Sequence, residues 1–390
     1  MPTLFDEFQL KDLTLPNRLV MGPMTRAKAT PEGVPTPIMA THYAQRASAG
    51  LIISEGTWPE RRGQGYCDIP GIETQEQEDA WRTVTDAVHE EGGRIFLQME
   101  HTGRVGHEIN NGGIQMVSSS SQPADFQIYT HEQGMVQMTT DVHALTTEEV
   151  HEVIDKYYEA AVRTKAAGFD GIELHGASGY LPHQFLSDVA NTRDDEFGGT
   201  PYKRTEFAIQ VLKKLIEAWG TSHRIGIKIS PNIRFNGISE EDPDPTYAIL
   251  LERLNELDLA YVAFQTPESL RSLSGLENED LADGEIWHRY PYEFIRERYN
   301  GTVIASGDLT QEYAQKALEA GKSDLFVFGR DYMSNPDLVE RMKYGWPITT
   351  VDMRRAYGSA NAEVGYLDYP TYPEEREQAK AAAEPEHKVS

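Results

Sequence analysis

Gly171-Ile-Glu-Leu-His-Gly-Ala-Ser-Gly-Tyr180 runs from an apolar stretch into a small polar turn, and Leu181-Pro-His-Gln-Phe-Leu-Ser187 follows it. The apolar half reads as a strand buried on both faces. The turn then presents His175, Ser178 and Tyr180 at the strand's C-terminal mouth. In a β/α barrel that mouth is where chemistry sits. A histidine N–H there can polarise a carbonyl, and a tyrosine O–H can protonate a carbon. The bland alternative is a satisfied core histidine beside a packing tyrosine, and the rest of the chain has to decide between them.

Seven more apolar runs share the style of 171–175: Arg18–Gly22, Leu51–Glu55, Arg94–Met99, Arg224–Ser230, Leu259–Gln265, Thr302–Ser306 and Asp324–Gly329. Amphipathic segments separate most of them. Thr74–Gly92 places Ala80, Trp81, Val84, Ala87 and Val88 at helical spacing and stops at Gly92-Gly93. Thr146–Gly168 opens with a capping-box pattern, Thr146 to Glu149. Pro201–Gly220, Asp244–Leu257, Thr310–Gly321 and Asn335–Gly345 read as helices of the same kind. Eight strands alternating with helices predict a (β/α)8 TIM barrel, an α/β fold. A doubly wound open sheet is the runner-up. It requires a Gly-rich turn after the first strand, and Met21-Gly-Pro-Met-Thr-Arg26 is not GxGxxG. Two connections are long, His101–Leu145 after the third strand and Thr266–Arg289 after the sixth, and such loops in barrels build the site or its lid. Residues 1–372 are expected to form one barrel domain. The charged, Ala-rich stretch 373–390 is expected to be a fraying tail.

Composition excludes several classes. The 390 residues carry 36 basic and 62 acidic side chains, a net charge of −26 that repels nucleic acid and anionic membranes. A surface this acidic also suits high salt, although ordinary mesophilic proteins reach the same charge. No run approaches the roughly 18 apolar residues of a membrane span. The opening MPTLFDEFQLKD has no apolar core of a signal peptide. The single cysteine, Cys67, rules out an internal disulfide framework, suits a cytoplasmic compartment and reads as incidental. The histidines are scattered without metal-ligand spacing, so no metal is expected.

The other strand ends are polar in a consistent way. Thr25 follows the first strand, Gly56 the second, Gln98 ends the third and Lys228 lies in the fifth. An amide reads a donor–acceptor edge, and a cation stabilises developing negative charge. At the last two strands, Ser306-Gly307-Asp308 and Gly329-Arg330 combine glycines that admit close backbone approach with a guanidinium. Barrels often hold a phosphate there. The set suits a planar heterocycle bearing a phosphate. Either glycine alone is an ordinary turn residue; the pair at consecutive strand ends carries the argument.

These blocks together resemble the Old Yellow Enzyme family of FMN-dependent ene-reductases. The resemblance covers nearly the whole chain. It rests on Asn17-Arg-Leu-Val-Met-Gly-Pro-Met-Thr-Arg26, Ile53-Ser-Glu-Gly56, His175 to Leu181, Asn191-Thr-Arg-Asp-Asp-Glu-Phe-Gly-Gly199 and Phe328 to Leu338. It implies bound FMN, with NADPH or NADH as the transient reductant. Pro23, Met24 and Thr25 would line the flavin ring, with Gly56 and Gln98 at its pyrimidine edge. Lys228 would stand near N1 in place of the family's usual Arg. Ser306, Gly307, Asp308, Gly329 and Arg330 would form the phosphate end. His175 would bind the oxygen of an electron-poor alkene, Tyr180 would protonate it, and Tyr66 and Tyr357 would line the pocket.

Two positions depart from the family pattern in the substrate pocket. Ser178 stands where Asn or His is usual as the second donor to the substrate oxygen. Glu100 stands where Trp is common and narrows the apolar wall. Three rivals stay open at this point. One is reduction of a nitrate ester or nitroaromatic on the same scaffold, another is a non-redox phosphate-ligand barrel acting as a lyase or isomerase, and the third is a flavin-binding protein in which the changes at Ser178 and Glu100 have abolished catalysis.

Overall fold

A computed structural model describes residues 1–231, 233–240, 242–266, 291–357 and 363–383. Eight parallel strands close into a barrel in sequence order. They are β1 (Leu19–Met21), β2 (Leu51–Ile53), β3 (Ile95–Met99), β4 (Gly171–Gly176), β5 (Ile225–Ile229), β6 (Tyr261–Gln265), β7 (Val303–Ser306) and β8 (Leu325–Phe328). Each lies within one of the apolar runs or extends one by a single residue, and the open-sheet alternative falls with the closure. Helices α1 (Pro37–Ala44), α2 (Gln75–Glu90), α3 (Thr147–Ala166), α4 (Glu206–Trp219), α5 (Asp244–Leu257), α6 (Tyr292–Arg298), α7 (Gln311–Glu319) and α8 (Leu338–Tyr344) follow the strands.

Local chemistry sets the helix starts. Thr146 Oγ1 accepts the Glu149 N–H at 3.2 Å, and Glu149 Oε2 accepts the Thr146 N–H at 2.7 Å, closing the expected capping box of α3. Thr74 and Gln77 do the same for α2. The segment expected as one helix over 201–220 is two pieces, Pro201–Arg204 and α4, interrupted at Thr205. Thr205 turns its hydroxyl back to the Tyr202 carbonyl. The expected tail is helical over Tyr372–Ala383, and Glu375 in it accepts from the buried Arg341 at 2.8 Å. Residues 384–390 lie outside the described residues, as does most of the long connection expected after the sixth strand.

Two apolar layers build the barrel. One alternate set of strand residues, including Leu19, Ile52, Leu97, Ile172 and Ile227, packs outward under the helices. The other set fills the interior, with Val20, Ile53, Phe96, Tyr261, Ala263, Ile304 and Leu325 in one cluster. Phe96 stacks on Tyr261 with ring centroids 6.0 Å apart. Gly171 and Gly226 make room for these rings; a Cβ on either would come within 2.5 Å of one. A two-stranded hairpin, Phe8–Leu10 with Leu13–Leu15, plugs the N-terminal end with Leu10, Leu13 and Leu15.

Candidate active site

The inward rows of the strands are apolar near the hairpin plug and polar at the opposite mouth. Strand periodicity of two carries Phe96 to Gln98 and on to Glu100, and Glu173 to His175. Register then brings distant residues side by side. Glu173 pairs with Gln98, His175 with Lys228, and Gln265 with Ser306. A lone acid in the apolar run Gly171–Leu174 was the available signal for Glu173.

Glu173 is buried and accepts from Gln98 Nε2 at 2.7 Å. Burial raises its pKa, while Lys228 and Gln98 pull it back. Lys228 shows the complementary effect. Enclosure lowers its pKa, while Glu173 and Glu100 raise it. Its ammonium makes no hydrogen bond to the described residues, and part of the side chain faces the mouth. Lys228→Met therefore leaves two enclosed carboxyls without their cation. A carboxyl whose folded pKa exceeds its unfolded value weakens the fold as pH rises through the interval between them. Removing the cation widens that interval. The expected stability loss is small at pH 5 and about 1–3 kcal/mol at pH 8. Equal losses at both pH values in thermal unfolding would reject this account.

The turn after β4 sets the remaining groups. His175 is 5% exposed, and its Nδ1 accepts the Ala177 N–H at 3.3 Å, so the ring proton is assigned to Nε2. Burial first, then Lys228 and His183, hold its pKa well below the ordinary value, so the ring is neutral. Tyr180 packs edge-on against it, ring centroids 4.8 Å apart. The Tyr180 and Tyr66 hydroxyls lie 3.1 Å apart. Burial, then Tyr66 and Glu100, keep the Tyr180 phenol protonated far above the usual range. The long connection after β3 roofs this pair. It contains a hairpin, Gln127–Thr130 with Gly134–Gln137, and Val105, Ile128 and Met138 cluster with Tyr180.

Ser178 adopts the left-handed region, φ 57°. Its N–H donates to Ser230 Oγ at 2.8 Å and its hydroxyl donates to Gln265 Oε1 at 3.1 Å. Gln265 and Ser230 were not anticipated, and nothing near position 178 in the chain signals them. Glu100 follows β3 and is 3% exposed, with Oε2 3.5 Å from His175 Nε2. The carboxyl lies over Gly56, where a Cβ would come within 2.5 Å of Oε2. Tyr357 stands on the rim, 54% exposed, close enough to Tyr66 and Tyr180 to interact with them electrostatically.

Pro23, Met24 and Thr25 are partly exposed after β1. Across the mouth, Gly307 has φ 131°, which favours glycine, and Asp308 follows at φ 37°. Arg330 and Asp308 form an ion pair. Gly329 packs on Met24, whose sulfur would lie 3.0 Å from a Cβ there. Ser306 donates to the Phe264 carbonyl at 3.1 Å, so its hydroxyl supports the β6–β7 edge. The block 191–199 buttresses the site from outside, with Asn191 Nδ2 donating to the Phe185 and Phe197 carbonyls. Cys67 is half-buried, its thiol pKa raised by burial, which suits an incidental role. Among the described residues no cluster of His, Cys, Asp and Glu could hold a metal ion, and no helix is long and apolar enough to cross a membrane.

Comparison with known proteins agrees with this geometry. The model of the NADH:flavin oxidoreductase / NADH oxidase family matches residues 3–348. A 12-oxophytodienoate reductase 7 from Oryza sativa subsp. japonica is 37% identical over 376 residues, 94% of each chain. A probable flavin mononucleotide-dependent alkene reductase from Leishmania infantum is 36% identical over 362 residues, 91% of this chain and 93% of that one. Among solved structures, morphinone reductase in complex with tetrahydroNAD superposes with a TM-score of 0.86 at 36% identity, covering 95% of this chain and 98% of the other. An old yellow enzyme homologue from Zymomonas mobilis gives a TM-score of 0.86 at 34% identity, with 95% and 99% coverage. A non-redox lyase or isomerase is thereby set aside. The chain belongs to the NADH:flavin oxidoreductase / NADH oxidase family, that of Old Yellow Enzyme, and is an FMN-dependent oxidoreductase.

Proposed function

We propose that this protein is an ene-reductase that uses NAD(P)H to saturate the C=C bond of electron-poor alkenes conjugated to a carbonyl or nitro group. The observation that carries the reading is a neutral His175 with an Nε2 donor beside a protonated Tyr180, both at the mouth that also encloses Lys228. Two features support the fit to FMN. Lys228 is an enclosed cation without a hydrogen-bond partner among the described residues, as the N1 and C2-carbonyl edge of a reduced flavin requires. Gly307 and Asp308 have successive positive φ values beside Arg330, a backbone arrangement suited to an anion. Pro23, Met24 and Thr25 would meet the ring, Gly56 and Gln98 its pyrimidine edge, and Ser306, Gly307, Asp308, Gly329 and Arg330 the phosphate end. When bound, FMN would supply the redox chemistry, hydride exchange with NAD(P)H and with the alkene.

The protein's own groups do the rest. His175 Nε2–H holds the substrate oxygen and stabilises the negative charge that grows there. Tyr180 O–H gives its proton to the α-carbon, and the hydroxyl of the partly exposed Tyr66 stands within hydrogen-bond reach to resupply it. Tyr66, Glu100, Ser178 and Tyr357 line the substrate side. Residues 1–372 would form the flavin-binding unit, and one half-buried cysteine suits the cytoplasm.

Anaerobic addition of NADPH should bleach the flavin band, and 2-cyclohexenone should restore it. Bleaching without recovery would refute the alkene reading while leaving flavin reduction in place. Arg330→Ala should weaken FMN binding about tenfold, the loss of one charge-assisted contact partly screened by water. Flavin fluorescence during dialysis measures this, and unchanged retention would remove Arg330 from the phosphate end.

A further inference from the structure

The family's second oxygen donor is displaced in this chain. A serine hydroxyl has one proton to donate, and that of Ser178 goes to Gln265 Oε1. None is left for a substrate oxygen. Another polar group stands at the same mouth. Glu100 Oε2 lies 3.5 Å from His175 Nε2, while Glu100 Oε1 is buried with no hydrogen-bond partner among the described residues. A buried polar atom without a partner is costly unless something else satisfies it. Here the carboxyl that carries it stands beside the one ring nitrogen expected to meet the substrate.

We propose that Glu100, as a neutral carboxylic acid, is the second hydrogen-bond donor to the substrate oxygen, sharing it with His175. This rests on the ene-reductase reading and adds to it a pH-dependent substrate contact. The groups around the carboxyl favour the neutral form. Burial pushes its pKa up to about 8, Lys228 on β5 opposes this, and Glu55 after β2 adds to it. Neutral His175 on β4, with the protonated phenols of Tyr66, Tyr180 and Tyr157, brings no further cation. A carboxylic acid kept neutral by an enclosed site can serve as a donor, whereas a carboxylate can only accept. Above the folded pKa the group would repel the electron-rich oxygen that it binds below it. The proposal therefore predicts tighter binding of neutral enones at low pH.

The test is binding of 2-cyclohexenone, which does not titrate, to the oxidised FMN-loaded enzyme between pH 6 and 9.5, followed by perturbation of the flavin band. The wild-type Kd should rise about tenfold across the range, the effect of losing one hydrogen bond. In Glu100→Gln the amide keeps a donor that does not titrate, so its Kd should stay flat. Glu100→Leu should bind weakly at every pH. A flat wild-type profile, tighter wild-type binding at high pH, or a trend that persists in Glu100→Gln would overturn the proposal; the last would assign the titration to Glu55 or Lys228. Wild-type enzyme that retains flavin but binds no enone at any pH would instead sink the ene-reductase reading, and this role with it.

Discussion

Replacing Tyr180 with Phe is expected to slow alkene reduction by about 10²–10⁴-fold and to leave reduction of the bound flavin by NAD(P)H at its usual rate. The asymmetry follows from where the hydroxyl acts. A proton at carbon is needed only when the alkene is saturated, and hydride transfer from a nicotinamide needs none. Phe keeps the edge-on contact with the His175 ring and the packing with Val105, Ile128 and Met138, so the loss is confined to one O–H. It leaves the Tyr66 hydroxyl without the Tyr180 partner it has at 3.1 Å, but Tyr66 is only partly buried and water can replace it. Stopped-flow measurement of the two half-reactions separates the outcomes. Equal slowing of both would take the proton donor's role away from Tyr180.

His175→Ala should lower kcat/KM for enones by about 100-fold and weaken the binding of phenols, which present an oxygen to the same donor. The imidazole is held ready rather than recruited. Its Nδ1 is occupied by the Ala177 N–H, its Nε2 faces the mouth, and burial with Lys228 nearby keeps it neutral. Because no proton is gained or lost at His175 over the working range, its contribution should not vary with pH between 6 and 9. Of the two oxygen donors, only Glu100 then brings a pH dependence to substrate binding. If the two donors share one oxygen, the effects of His175→Ala and Glu100→Leu should not add. Unchanged phenol affinity in His175→Ala would place the histidine outside the binding site.

The sequence was most legible where burial is symmetrical. Parallel barrel strands are covered on both faces, so each reads as an unbroken apolar run, and all eight could be bounded to within two residues. Long amphipathic helices with polar caps, such as α2 and α3, were equally plain. Short elements were not. Helix α1 is apolar on nearly every side, and α6 spans seven residues, too few for a 3.6-residue period to register. The break at Thr205 is a local hydrogen-bond choice within an otherwise helical pattern.

The chain by itself determined the barrel, the order of its strands and the residue types at their C-terminal ends, because strand periodicity and turn chemistry act over a few neighbouring residues. His175, Tyr180, Lys228 and the two glycine turns could all be named from it. Tertiary structure alone decided what those residues do to one another. Ser178 loses its free proton to Gln265, 87 positions away, and Glu100 comes to rest over Gly56 and beside His175. Protonation states follow from the same closure. The enclosed mouth removes water from Glu100, Glu173, His175 and Lys228 together, and each shifts toward its neutral form according to which of the others it faces. Desolvation and Coulomb interaction depend on distances through space, and only the folded barrel sets them.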